Sequence, residues 1–291
     1  MLALKPELDR LYDQFNLAHS TRDPIWTVRR FTRRDDQEMV AFLASALAFG
    51  RVQSVLQTVD AVLAVMEGAP AAFVRGFTPD QAPRFDGVGH RWIRSRDLAA
   101  LAWLLHQMVR DHGSIEGFFA AGQPPGDSSI EAGLESFSTR AMALDLKAIY
   151  GRRRPSPGVG YFFSRPSSGG ACKRLNLFLR WVARHDAVDL GLWDAVRPAQ
   201  LVVPLDTHII RVGRCLGVTR RASPGWGMAM DVTVALRGLN PDDPVRYDFS
   251  MCHLGMMGAC GFGTTRTSAQ CPLHAVCRPA RRPAARRQAA R

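Results

Sequence analysis

The sequence predicts an all-α protein, on three observations. Apolar residues recur with the 3.6-residue period of a helix along most of the chain. No stretch alternates apolar and polar as a half-buried strand does, and the periodic stretches are separated by breaks rich in Gly, Pro and Ser. Residues 36–49 and 52–67 give two apolar, alanine- and leucine-rich helices joined at Gly50-Arg51. Residues 94–110 and 129–149 follow, each with Ser or Asp near its start, where such side chains cap free amides. Residues 172–184, 207–216, 226–238 and 244–256 continue the series. The breaks fall at 68–92, 122–128 and 151–171, and the triple arginine and glycines of the last suit a loop that faces an anion. Asp35-Asp36 and Asp242-Asp243 read as helix-start acids. The six tryptophans are scattered and read mostly as core or half-buried packing.

At 46% apolar and 22% charged residues the chain can bury a large core, which excludes general disorder, and its length has room for two domains. The longest clean apolar run, residues 41–50, is roughly half the ~20 residues a membrane-spanning helix needs. Residues 1–15 carry charges throughout and no apolar signal core, so neither a membrane nor export is expected, and the cytoplasm is.

The 38 basic residues outnumber 26 acidic ones, for a net charge of +12. Six of those charges are arginines of residues 278–291, an acid-free stretch expected to be a disordered basic tail. A basic body with a basic tail fits a polyanion, most simply nucleic acid. A solvated tail that touches nothing is the plain alternative. The basic count hides a sharper feature: only Lys5, Lys147 and Lys173 are lysines. Where bare positive charge suffices, this chain uses arginine. A lysine that remains can do what a guanidinium cannot, which is to lose its proton and attack an electrophile.

Lys173 follows Gly169-Gly170 and opens the helix of residues 172–184. Leu175, Phe178, Leu179 and Val182 make the buried stripe, which puts Lys173, Arg180 and Arg184 on the opposite, polar face. In the first turn the helix dipole works against a positive charge, while free amide donors beside glycines admit a phosphate. An exposed lysine on a polar face is the plain alternative here. Downstream, Pro204 drives Leu205 out of the helical region, Asp206 is placed as an N-cap, and Ile209, Val212 and Leu216 line one face. A cap side chain projects from the open end of its helix, so capping and catalysis are compatible at Asp206.

At these residues the chain resembles a known family. PLDTHIIRVGRCLGV, residues 204–218, looks like the Asp-bearing helix start of the helix-hairpin-helix DNA glycosylases, the endonuclease III and 8-oxoguanine glycosylase superfamily. There a catalytic lysine on the second helix of the hairpin precedes the aspartate, and Lys173 has the matching order and setting. ACKRLNLFLRW, residues 171–181, with PLDTH following, also resembles an uncharacterised bacterial family that looks like a divergent branch. The chain departs from the hairpin pattern, because Lys173 follows Gly170 by three positions rather than two. Pro157-Gly158-Val159-Gly160 fits the hairpin string better but sets Phe162 at the lysine position. FLASALAFGRVQ lacks the glutamine that ends the corresponding helix of endonuclease III.

The resemblance implies two helical domains, residues 31–170 and residues 1–30 plus 171–277, with a helix-hairpin-helix element and a cleft between them. It implies catalysis by Lys173 and Asp206, with Gly169, Gly170, Arg174, His208 and Arg211 on double-stranded DNA. The reaction would be excision of a damaged or mispaired base, with or without AP-lyase strand scission, by a monomer. Cys271-x5-Cys277 resembles the end of an iron–sulfur loop with Cys260 as first ligand; Ser268 stands where another cysteine belongs, leaving Cys252 for the fourth. A [4Fe–4S] cluster ordinarily needs four thiolates, so the cofactor expected is that cluster or none, with zinc as a further alternative. Two rivals stand beside this reading: a non-catalytic nucleic-acid-binding protein on the same scaffold, and a helical protein acting on RNA or a nucleotide.

Overall fold

The most apolar stretch of the sequence becomes the helix around which the others pack. The computed structural model describes residues 2–15, 19–20, 23–151, 153–256 and 271–277. In chain order the helices are α1 (Lys5–Gln14), α2 (Ile25–Val28), α3 (Arg34–Ala46), α4 (Val52–Val65), α5 (Pro70–Gly76), α6 (Ser95–His112), α7 (Ile115–Ala120), α8 (Glu131–Ala143), α9 (Lys147–Tyr150), α10 (Pro157–Phe162), α11 (Lys173–Ala183), α12 (Thr207–Leu216), α13 (Trp226–Arg237) and α14 (Asp248–Met256). Among the described residues there is no strand, only two isolated bridges, so the fold is all-α. No single described helix is long and apolar enough to cross a membrane.

The α3 helix is buried from Glu38 to Ala46, on every face, because α2, α4, α5 and α11 surround it. The long α6 gathers α5, α7, α9 and α10 in the same way. At the other end of the molecule α12 packs on α14, which also carries α1. One continuous set of buried side chains runs from Leu4 to Leu273, and residues 31–170 meet residues 1–30 and 171–277 along α3 through α2 and α11.

Several expectations change. The charged N-terminus folds as α1, since Leu8 and Leu11 share one face and are buried. The expected helix over 129–149 divides at Leu144, which is extended, and Asp145 accepts from the Lys147 N–H at 2.8 Å where α9 begins. Two of the breaks contain short helices started by proline, Pro70 in α5 and Pro157 in α10. Asp35 and Asp36 do lie in the first turn of α3, but α14 starts at Asp248, and Asp243 instead accepts from Arg184 Nε at 2.7 Å.

The largest correction concerns α11. Arg180 and Arg184 are not on a solvated face; their side chains are 4% and 5% exposed. Four carboxylates, Asp186, Asp189, Asp243 and Asp248, converge on the two guanidinium groups, which makes burial of the charge tolerable. Residues 278–291, read as a disordered tail, lie outside the described residues.

Candidate active site

Lys173 is the first residue of α11, and the chain approaches it through strained backbone. Gly169 is left-handed at φ 77°, and Cys172 adopts φ 47° without being glycine. The Gly169 carbonyl accepts from the Trp226 N–H at 3.2 Å, which ties the loop before α11 to the start of α13. A Cβ on Gly225 would stand 2.6 Å from that carbonyl, so the approach needs glycine. Gly169 and Gly170 remain exposed. Lys173 itself is half-buried, and Nζ donates to the Ala48 carbonyl at 3.2 Å, where α3 has just ended.

One residue beyond Ala48 begins an aromatic cluster that sequence reasoning missed. Phe49, Trp92 and Tyr161 meet with ring centroids 4.7, 5.0 and 5.1 Å apart. Trp92 is 47% exposed, at the tip of a tight turn closed by paired hydrogen bonds between His90 and Ile93. Arg91, beside it, is another non-glycine residue at positive φ, 55°. The turn is fixed from below, because the His90 ring bonds to Thr58 Oγ1 at 3.1 Å and to the Phe49 carbonyl at 2.8 Å. The Arg91 guanidinium carbon lies 5.4 Å from the Trp92 ring centroid, and Arg51, Arg94 and Arg96, close to Phe49 and Trp92 in the chain, are exposed as Arg91 is; none of the four makes an ion pair among the described residues. The sequence did hold a signal: His90-Arg91-Trp92-Ile93-Arg94-Ser95-Arg96 sets an aromatic residue among cations directly after a glycine-rich turn.

Arg174, expected to contact phosphate, supports this cluster from inside. It is buried, its guanidinium carbon lies 3.2 Å from the Tyr161 ring centroid and 5.5 Å from that of Phe49, and it donates to the Tyr161 carbonyl. Burial pushes its pKa down to about 10. A guanidinium stacked on a ring and bonded to backbone cannot also reach a solvent-side phosphate, so that expectation is withdrawn.

Asp206 caps α12 as the sequence predicted. Its Oδ1 accepts from the His208 and Ile209 amides at 2.8 and 2.7 Å, and Oδ2 accepts from the Cys252 thiol of α14 at 3.1 Å. Among the described residues Asp206 forms no ion pair with Lys173. The two are connected through α14, whose Asp248 binds Arg180 of α11 while Cys252, one turn on, binds Asp206. His208 is half-buried with Nδ1 lacking a hydrogen-bond partner, and Arg211 is exposed on the next turn of α12.

Among the described residues the expected metal ligands do not assemble. Cys252 is spent on Asp206, Cys277 donates to the Cys215 carbonyl at 3.4 Å, and Cys260 lies outside the described residues. Among the described residues no group of three His, Cys, Asp or Glu side chains is arranged to hold a metal ion. The described cysteines do not fit a cluster, and no chemistry is assigned to one.

A cavity of about 600 Å³ lies elsewhere, at the N-terminal end of α3, lined by Arg33, Arg34, Arg75, Glu38, Glu116 and Trp193 among others. It is about 20 Å from Ala48 along a helix that rises 1.5 Å per residue. Its arginines are already paired with Asp35 and Glu116, whereas those around Trp92 are not, so the Lys173 region is the better candidate for chemistry on a polyanion.

Residues 23–257 match a family model described as a protein of unknown function, DUF2400. The match spans Lys173, Asp206, Cys252 and the Phe49–Trp92–Tyr161 cluster, and ends before Cys260, Cys271 and Cys277. No curated protein and no solved structure matches the chain.

Proposed function

The chain belongs to the DUF2400 family, and from that premise we propose that it is a DNA base-excision glycosylase with AP-lyase activity, Lys173 being the nucleophile. The observation that carries the reading is one juxtaposition: the Lys173 amine rests on the Ala48 carbonyl, one residue before Phe49 of an aromatic cluster whose Trp92 is exposed with Arg91 against its ring. Rings stack on unpaired bases of any sequence, arginines hold phosphates, and an amine beside them can reach the sugar of a base turned out of the helix.

In the reaction, the unprotonated amine of Lys173 forms a bond to C1′ of the deoxyribose. The glycosidic C1′–N bond breaks, its electron pair leaves on the base nitrogen, and the base takes up the proton that the newly bonded amine nitrogen gives up. Opening of the sugar ring gives a Schiff base. Loss of the C2′ proton then expels the 3′ phosphate, nicking the strand, and water releases the lysine. Asp206, with a carboxylate aimed from the open end of α12, stabilises the positive charge that develops on the sugar.

The test is borohydride trapping on duplexes carrying an abasic site, uracil, 8-oxoguanine or an oxidised pyrimidine, with Lys173→Ala in parallel. A covalent adduct that vanishes in the variant is expected. An adduct that persists in Lys173→Ala, or none from the wild type on any duplex, overturns the assignment of the nucleophile. One observation favours a second reading, a non-catalytic binding protein: both oxygens of Asp206 already have partners. Tight, salt-dependent binding without trapping or base release would select it.

A further inference from the structure

The geometry points to Cys252 as a positioning residue for Asp206, its thiol orienting the carboxylate that faces the reacting sugar; this rests on the glycosylase reading. A carboxylate that caps a helix is fixed at one oxygen only. Here Oδ1 takes both amides of the first turn of α12, and the plane of the group is left to whatever Oδ2 meets. It meets the Cys252 sulfur at 3.1 Å, which sets the second point and so the direction of the remaining lone pairs.

The chemical type of the donor matters. A lysine or arginine at this place would neutralise the charge Asp206 needs against a cationic sugar. An uncharged S–H, a weak donor, orients the group and leaves most of its charge available.

The helix that bears the thiol is itself held on both sides. Three residues after Cys252, Gly255 lets α14 press on α12, because a Cβ there would stand 2.7 Å from the Cβ of His208. One turn before Cys252, Asp248 binds Arg180 of α11. The same stretch of α14 therefore sets Asp206 and anchors the helix that carries Lys173.

The experiment compares Cys252→Ala and Cys252→Ser with wild type, Asp206→Ala and Lys173→Ala. It uses whichever of the duplexes above the wild type processes, under single-turnover conditions with DNA affinity measured separately. Loss of one orienting hydrogen bond is expected to slow Cys252→Ala about tenfold, with affinity within about twofold of wild type. Cys252→Ser, which keeps a neutral donor, is expected to recover to within about threefold. Amide exchange at His208 and Ile209 reports whether the cap survives in both variants. A Cys252→Ala rate equal to wild type overturns the inference while Lys173→Ala, if inert, leaves the glycosylase reading standing. So does a Cys252→Ala loss in step with lost affinity or cap protection, or one that serine fails to recover. A wild type inert on every duplex overturns both.

Discussion

Arg174 and Trp92 show how charge and hydrophobicity mislead when single residues are read alone. An arginine four residues past a glycine pair invites a phosphate, yet Arg174 spends its guanidinium on Tyr161 and Phe49 inside the protein. A tryptophan invites burial, yet Trp92 stands at the tip of a turn. The two predict opposite phenotypes. Arg174→Ala should lower the unfolding free energy by about 2 kcal/mol in denaturant titration, through the lost cation–π contact and carbonyl bond. Trp92→Ala should leave folding nearly unchanged and weaken binding to a duplex with an unpaired base by at least fivefold, while binding to fully paired DNA holds. Equal losses on both DNAs would remove the platform from the reading. Removing the charge of exposed Arg91 should reduce the slope of log affinity against log salt by up to about 0.9, and Arg174→Ala should not.

Among the elements, α12 and α14 offer the clearest separation of cap from chemistry. Asp206→Asn keeps an oxygen acceptor for the first-turn amides, and Asp206→Ala does not. The alanine variant is expected to be less stable than the asparagine variant by about 1 kcal/mol, as read by thermal or denaturant unfolding. Both should lose base release, since neither carries the charge. Gly255→Ala forces a Cβ against His208 between two packed helices, and a loss of 1–3 kcal/mol, roughly, is expected in the same assay. The start of α12 was legible because Pro204 and Asp206 act on their own neighbours in the chain. The partner of Asp206 was not, because Cys252 lies 46 residues away and reaches it only once α12 and α14 pack.

For the whole molecule the telling feature is the buried network of α11, where two arginines meet four carboxylates. With more negative than positive groups, one carboxyl does better protonated. Burial raises Asp248 to about 7, more than its bond to Arg180 offsets. A carboxyl raised in the folded state binds a proton that the unfolded chain has already lost, so its contribution to stability is full below about pH 4. That contribution falls as pH rises towards about 7. Asp186, lowered to about 2 by Arg184 against the effect of its burial, works in the opposite sense at lower pH. Asp248→Asn mimics the protonated form, so its unfolding free energy relative to wild type should rise between about pH 4 and 7. A difference that stays flat across that range would refute the assignment.

What the sequence determined by itself was local: an all-α fold, most helix positions, the cap at Asp206 and the first-turn place of Lys173. Each follows from periodicity or from a side chain acting within a turn or two of its own position. What only the tertiary structure decided was which side chains meet across distance. It buried Arg180 and Arg184 as ion pairs, turned Arg174 inward, set Trp92 against Phe49 and Tyr161 and gave Asp206 its thiol. The reason is physical: burial and partner choice are properties of packed surfaces, and the helix period says which residues share a face but not what that face meets.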